Sequence, residues 1–154
     1  MPTLQVQLET GAISDPAVGA FPARYTAAWA HPTAERLAGF WTHDGELTQV
    51  GMATPIRGRD AIAAFQDGVL KLTPDLRVRP LAAAKNGETL FIHYRCEATL
   101  GGTPTAWEGF DRFELDGTLA RRGPCIFDTA PIREALGGNS AHKRTSERAA
   151  GATK

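Results

Sequence analysis

The apolar residues of this chain change their spacing at Thr73-Pro74-Asp75, and this change constrains the fold more than any other feature. Before this point they recur at helical intervals, and after it they alternate with polar residues, as in half-buried strands. Three dipeptides divide the part of the chain after this point: Asn86-Gly87, Gly101-Gly102 and Asp116-Gly117. Each of them can hold the positive φ angles of a tight hairpin. The sequence therefore predicts an antiparallel meander of four strands, over roughly 76–84, 88–100, 105–115 and 118–128.

The first part of the chain predicts a short strand followed by helices. Apolar and polar residues alternate over 3–9, which indicates a half-buried strand. Helical spacing then runs from Val18 through Trp29, and Pro22 either begins this helix or bends it.

Two more helices and a strand are predicted before the meander. The second helix opens at Pro32-Thr33 and carries Phe40 and Trp41 on its apolar face. A turn at His43-Asp44-Gly45 then leads into a strand over 46–50. The third helix starts at Gly58-Arg59-Asp60, and its apolar stripe consists of Ile62, Phe65, Val69 and Leu72.

Length and charge set the class of protein. A chain of 154 residues fits one domain, which at this size buries roughly 70% of the surface of the unfolded chain. Seventeen basic residues balance seventeen acidic ones, so no net charge attracts nucleic acid or an anionic membrane. The order of elements predicts an α+β fold, with three N-terminal helices on one face of a curved antiparallel sheet. We divide the chain into an N-terminal strand and turn (1–17), the folded domain (18–136) and a disordered tail (137–154).

Features that the sequence lacks predict the location of the protein, the state of its thiols and the absence of a metal. Its apolar stretches are too short to span a bilayer, and its first residues lack the pattern of a signal peptide. Cys96 and Cys125 lack the spacing of a zinc site, and no pair of histidines has the spacing of metal ligands on one element. We therefore expect a cytoplasmic protein with reduced thiols and without a metal.

Several stretches in a fixed order resemble one superfamily. They are Ala23-Arg24-Tyr25, the segments 40–44 and 56–65, the hairpin 109–117 and the closing Ile126-Phe127-Asp128. Together they resemble the nuclear transport factor 2-like superfamily, in particular its ketosteroid isomerase and SnoaL-like (polyketide cyclase) branches, over about 18–136. The resemblance implies a conical, cystatin-like α+β barrel with a deep pocket for a hydrophobic small molecule. It also implies a homodimer.

An aspartate on an apolar strand face is the most informative residue of the chain. On the strand over 105–115, alternation places Asp111 on one face with Trp107 and Phe113. Apolar surroundings raise the pKa of a carboxyl group, which makes it a hydrogen-bond donor or a proton-transfer group. The alternative is a structural aspartate that binds backbone amides.

The resemblance assigns roles to two further residues. Tyr25 matches the family's helix-1 tyrosine, and Asp111 matches its oxyanion-hole aspartate; the alternative for Tyr25 is a core tyrosine. Gln49 stands where the family has its catalytic base. A glutamine amide can orient or polarise a substrate, but it cannot carry a proton between carbons. Ketosteroid isomerisation by the usual mechanism is therefore not expected.

A second carboxylate is predicted near the end of the last strand. If that strand continues to Asp128, then Arg122, Ile126 and Asp128 share a face, although Pro124 weakens this count. By resemblance, Asp128 lies near the carboxylate that is the acid–base group of SnoaL-like cyclases, and limonene epoxide hydrolases also place a carboxylate there. The alternative is an aspartate that caps the strand end. The hydrolases also need an inward Arg-x-Asp on an earlier strand, and this chain has Tyr94 in place of the arginine, so an epoxide hydrolase would lack its electrophile.

These residues lead to one function and one alternative. The first is a cofactor-independent isomerase, cyclase or dehydratase that acts on a small hydrophobic cyclic carbonyl compound and stabilises its enolate. The alternative is a non-catalytic protein of the same fold that binds a small molecule or dimerises. The residues expected to contact the substrate are Trp29, Phe65, Trp107, Phe113, Arg122 and Ile126.

Overall fold

The computed structural model describes residues 13–137, which include all of the predicted folded domain. The predicted strand over 3–9 and the predicted tail beyond its first residue lie outside the described residues. The described helices are α1 Phe21–Ala30, α2 Ala34–Ala38, α3 Arg59–Leu72 and α4 over 130–137, after a 3₁₀ turn at Pro16–Val18. The strands are β1 Trp41–Gln49, β2 Ile56–Arg57, β3 Arg77–Asn86, β4 Thr89–Leu100, β5 Thr103–Asp116 and β6 Leu119–Phe127.

The six strands form one curved, unclosed sheet against which the helices pack, so the predicted α+β class is confirmed. Its strand order is β2-β1-β6-β5-β4-β3. Strands β3 to β6 form the predicted antiparallel meander, and β1 joins it by pairing parallel with β6. Gly87, Gly102 and Gly117 have φ angles of 59°, 83° and 60° at the three hairpins, where a residue with a side chain is strained.

The predicted boundary between the second helix and the first strand is wrong. Helix α2 ends at Ala38, and Trp41 begins β1, where it pairs with Ala120 of β6. The segment predicted as a turn, 43–45, lies inside β1 at a bulge between Trp41 and Glu46. Neighbouring Phe40 and Trp41 fit a helical face as well as a strand, and only the pairing with β6 separates the two.

Helix α1 begins at Phe21 with Pro22 in its first turn, so the proline starts this helix and does not bend it. In α3 the predicted stripe is partly wrong. Ile62 is fully buried, but Leu72 is 84% exposed at the end of the helix. The face that points inward continues through Gln66, Val69 and Thr73.

An aromatic cluster fills one part of the space between the helices and the sheet. The rings of Phe21 and Phe113 lie 4.9 Å apart, and those of Tyr25 and Phe40 lie 5.8 Å apart. Such tilted and stacked pairs stabilise a core beyond the area they bury. Among the described residues, no helix is long and apolar enough to cross a membrane.

Candidate functional site

A cavity of about 260 Å³ opens between the helices and the inner face of the sheet. Its wall is mostly apolar and contains a few polar side chains, as is usual for a small-molecule site. The aromatic residues of the wall include Trp29 of α1 and Trp107, Phe113 and Phe127 of the sheet, and Ile132 of α4 also contributes. The polar and sulfur-containing residues of the wall are Tyr25, Gln49, Gln66, Thr73, Tyr94, Cys96, Asp111 and Cys125.

Tyr25 and Asp111 meet in this wall. Tyr25 lies on the buried face of α1, four residues after Phe21, and Asp111 lies on the inward face of β5. The hydroxyl of Tyr25 donates a hydrogen bond of 2.7 Å to Oδ2 of Asp111. Burial raises the pKa of Tyr25 well above its usual value, and the neighbouring carboxylate raises it further. The tyrosine therefore keeps its proton at neutral pH.

The second oxygen of Asp111 has no hydrogen-bond partner among residues 13–137. Oδ1 is buried, and the whole residue is only 5% exposed. Burial raises the pKa of Asp111, while the nearby polar hydrogens of Cys125, Tyr25 and Tyr94 lower it by less. A carboxyl group in this state either donates a hydrogen bond through a protonated Oδ1 or exchanges a proton with a bound molecule.

Tyr94 also approaches Asp111, and residue-by-residue reasoning did not give it a role in the site. Tyr94 of β4 lies opposite Gly109 of β5, and Gly109 is two residues from Asp111 along the same strand. A Cβ atom at Gly109 would lie 2.7 Å from the hydroxyl oxygen of Tyr94, so glycine makes room for this hydroxyl. The signal in the sequence is the small residue Gly109 on an otherwise bulky inward face.

Register places three side chains in one row across the inner face. Gln49 of β1 pairs with Cys125 of β6, and Cys125 pairs with Asp111 of β5. Gln49 therefore faces the cavity about 10 Å from Asp111, two strand spacings away. Burial raises the pKa of Cys125 well above its usual value and that of Cys96 to about 12, so both are neutral thiols at pH 7.

Three predicted site residues from the last strand and its end lie outside the cavity wall. Ile126 is 58% exposed on the outer face, and exposed Arg122 lies 3.9 Å from Glu114. Asp128 is exposed, and its Oδ1 accepts a hydrogen bond of 2.9 Å from the backbone N–H of Ala130, at the start of α4. The β5–β6 pairing explains all three positions. Because Cys125 faces inward beside Asp111, the even-numbered residues around it face outward.

The remaining predicted contacts divide into two groups. Trp29, Trp107 and Phe113 line the cavity together with Tyr25, Asp111 and Gln49. Phe65 is partly buried against the hydrophobic core and is not part of the cavity wall. Within residues 13–137, no group of three or more His, Cys, Asp or Glu side chains is arranged to hold a metal ion.

One family model matches this chain, and several solved structures share its fold. The family model described as a SnoaL-like domain matches residues 23–122. A search of curated proteins finds no significant match. Among solved structures, the chain is similar to a hypothetical protein with a ketosteroid isomerase-like fold from Catenulispora acidiphila DSM 44928, in complex with trimethylamine. The TM-score is 0.68 at 16% identity, over 75% of this chain and 90% of that one.

Two further structures have the same fold. One is a protein from Jannaschia sp. CCS1 that is proposed to be a SnoaL-like polyketide cyclase, with a TM-score of 0.67 and 12% identity over 88% of this chain and 97% of that one. The other is an LEH-like epoxide hydrolase from M. tuberculosis, with a TM-score of 0.62 and 14% identity over 80% and 92%. At these identities the likeness shows the fold alone.

Proposed function

The chain belongs to the SnoaL-like domain family of the nuclear transport factor 2-like superfamily, a fold that binds small molecules, and from this premise we propose that it is a cofactor-independent enzyme. Its substrate is a small, mostly apolar cyclic carbonyl compound. Its reaction is an isomerisation, a cyclisation or a loss of water in which solvent water removes a proton next to the carbonyl group and negative charge develops on the carbonyl oxygen. Asp111 donates a hydrogen bond to that oxygen.

One observation carries this proposal. Oδ1 of Asp111 is buried at an apolar cavity and has no partner in the described part of the chain, while Oδ2 accepts a hydrogen bond from Tyr25. Burial raises the pKa of Asp111, which favours its protonated form, and Tyr25 binds Oδ2, so Oδ1 is the oxygen left to donate to a ligand. A donor held in place before the reaction stabilises developing charge without reorganising.

Other residues have supporting roles in the proposed mechanism. Tyr25 is a positioning residue, because its hydroxyl is already used by Asp111. Gln49 orients the substrate from the opposite end of the same row. Trp29, Trp107 and Phe113 contact its apolar body. Asp128 has no catalytic role in this proposal, because its carboxylate accepts the N–H of Ala130 at the start of α4 and lies outside the cavity wall.

A second candidate function is non-catalytic binding of the same kind of molecule. Asp111 is the one carboxyl group that lines the cavity within residues 13–137. The cavity wall therefore provides one carboxyl group, Asp111, for a reaction that needs both an acid and a base. This observation favours a binding protein over a classical isomerase.

Binding of 2-naphthol tests the donor. Its ultraviolet spectrum changes when the phenol becomes phenolate, which a strong donor favours. We expect wild type to bind it with a phenolate-like shift and Asp111→Leu to bind it at least about tenfold more weakly, as for a strong hydrogen bond. Asp111→Asn keeps a weaker donor and should bind at an intermediate strength. Equal binding by all three proteins would contradict the proposal.

Exchange of hydrogen for deuterium next to the carbonyl group separates the two functions. A bound cyclic ketone whose oxygen accepts a hydrogen bond from Asp111 enolises faster, and NMR in D₂O records the loss of its α-hydrogens. An enzyme accelerates this exchange, and Asp111→Leu abolishes the acceleration. A binding protein binds the ketone without any acceleration.

We also propose that the protein is a homodimer in the cytoplasm. The outer face of the sheet exposes Phe91, Phe110 and Ile126, and Phe110 and Ile126 are direct cross-strand neighbours. An exposed apolar patch of this kind often marks an interface. In the cytoplasm the free thiols of Cys96 and Cys125 stay reduced.

A further inference from the structure

Gln66 is a buried polar residue that neither the apolar pattern nor the proposed mechanism explains. Apart from tyrosines, the polar or charged residues that the structure buries within residues 13–137 are Asp111 and Gln66, and Gln66 is 8% exposed. It lines the same cavity as Asp111. Its side-chain amide makes no hydrogen bond to the described part of the chain.

The surroundings of Gln66 on α3 offer its amide nothing polar. Ile62 precedes Gln66 by about one helical turn, and Val69 follows it by about one turn. The side chains of Ile62, Gln66 and Val69 therefore lie on one inward face of α3. The next residue on that face, Thr73, already donates its hydroxyl hydrogen to the carbonyl oxygen of Val69 at 2.6 Å. On α3, Gln66 is therefore the cavity-lining side chain whose hydrogen-bond donor and acceptor are both free.

Although Gln66 is mostly buried, its amide atoms are not fully enclosed, so a small molecule in the cavity can reach them. Apolar residues at positions 62 and 69 indicate that an apolar residue at position 66 would also fit the helix. The half-buried amide of Gln49 on β1 also faces the cavity, but it retains more access to water. The group that gains most from a ligand is therefore Gln66.

We propose that Gln66 binds a second oxygen function of the ligand and so determines specificity. This inference rests on the proposed function, in which Asp111 binds the first oxygen. The ligand class is then an apolar ring system with two oxygen substituents, a carbonyl or phenol at Asp111 and a hydroxyl or carbonyl at Gln66. The cavity of about 260 Å³ exceeds the volume of roughly 150 Å³ that holds benzene, so it has room for more than one ring.

The test compares ligands with one and with two oxygens. Dissociation constants are measured for 2-naphthol and for 1,5-, 2,6- and 2,7-dihydroxynaphthalene by fluorescence titration. We expect wild type to bind at least one dihydroxy isomer about three- to tenfold more tightly than 2-naphthol, as for one added hydrogen bond. In Gln66→Leu this ratio falls to about one. Lys71→Leu, an exposed substitution on the same helix, keeps the wild-type ratio.

Thermal unfolding of the free proteins excludes a structural explanation. If the amide has no partner in the free protein, Gln66→Leu unfolds at the same temperature as wild type or higher. A ratio that persists in Gln66→Leu, or no preference for any dihydroxy isomer in wild type, overturns the inference. Both of those results leave the proposed function intact if 2-naphthol binding still depends on Asp111. If wild type does not bind 2-naphthol, or if Asp111→Leu binds it as tightly as wild type does, the proposed function and this inference are both overturned.

Discussion

Asp111 couples the stability of the protein to pH. Burial raises the pKa of its carboxyl group, so the folded protein holds a proton that the unfolded chain releases near the ordinary value of about 3.9. The stabilisation is complete below that value and is lost as the pH rises through the raised pKa. In Asp111→Asn this loss disappears, because an amide does not titrate.

Urea unfolding of wild type and Asp111→Asn between pH 3 and pH 9 measures this coupling. We expect the free energy of unfolding of the variant, minus that of wild type, to increase with pH by up to about 1.4 kcal/mol per unit within that window. Taking the difference cancels the titration of all shared groups. A difference that is constant with pH, or that decreases as the pH rises, would show that the pKa of Asp111 is not raised.

Gly109 keeps the space in which Tyr94 reaches Asp111. A Cβ atom at this position would lie 2.7 Å from Cβ of Phe127 and 2.8 Å from the backbone oxygen of Ile126. Backbone atoms cannot move aside as a flexible side chain can, so Gly109→Ala should destabilise the fold by about 1–3 kcal/mol. Gly68→Ala is the matched control, because nothing lies within 4 Å of its Cβ and alanine favours a helix. Equal unfolding temperatures in the two variants would contradict the crowding at Gly109.

At the level of single residues, the sequence predicted where Asp111 points but not what completes the site. Alternation along one strand needs no partner, and the structure places Asp111 on the same face as Trp107 and Phe113. The approach of Tyr94 depends on the β4–β5 register, which single-strand alternation does not contain. Gln66 was missed because a helical stripe defined by apolar residues skips a polar residue on the inner face of the helix.

The faces of β6 show the same limit for a whole strand. The sequence separated its residues correctly into two sets, one with Cys125 and Phe127 and the other with Ile126 and Asp128. Which set faces inward depends on the pairing of Cys125 with Asp111 in β5. Because a shift of one residue exchanges the two faces, an error in this choice moved every β6 residue of the predicted site out of the cavity.

The position of Asp128 between β6 and α4 predicts a capping role. Asparagine caps a helix N-terminus about as well as aspartate, whereas alanine lacks the oxygen that accepts the N–H of Ala130. We expect Asp128→Asn to keep wild-type stability and 2-naphthol affinity, and Asp128→Ala to lose about 1 kcal/mol of stability. Equilibrium unfolding and titration check both. Loss of α-hydrogen exchange in Asp128→Asn would instead restore a catalytic role to this carboxylate.

For the whole molecule, the outer face of the sheet combines an apolar centre with charged surroundings. Phe110 is 52% exposed, and the ring of His93 stacks on it at 4.6 Å. On one side of Phe110, Glu108 binds His93 and Arg95, and on the other Glu114 binds Arg112. Patches with an apolar centre and a polar rim are typical of protein interfaces. In a two-fold dimer, each apolar side chain meets the same patch of the second copy.

Ile126→Glu tests this dimer. Two copies of a charge introduced beside the symmetry axis lose contact with water and repel each other, which opposes association strongly. Sedimentation at micromolar concentration should find wild type at twice 16.5 kDa and Ile126→Glu at 16.5 kDa. Leu72→Glu is the control, because Leu72 is the more exposed side chain but lies on α3, away from the sheet. A monomeric wild type, or a variant that remains a dimer, would show that this face is not the interface. If the variant is a monomer that still binds 2-naphthol as wild type does, the cavity functions without a second copy.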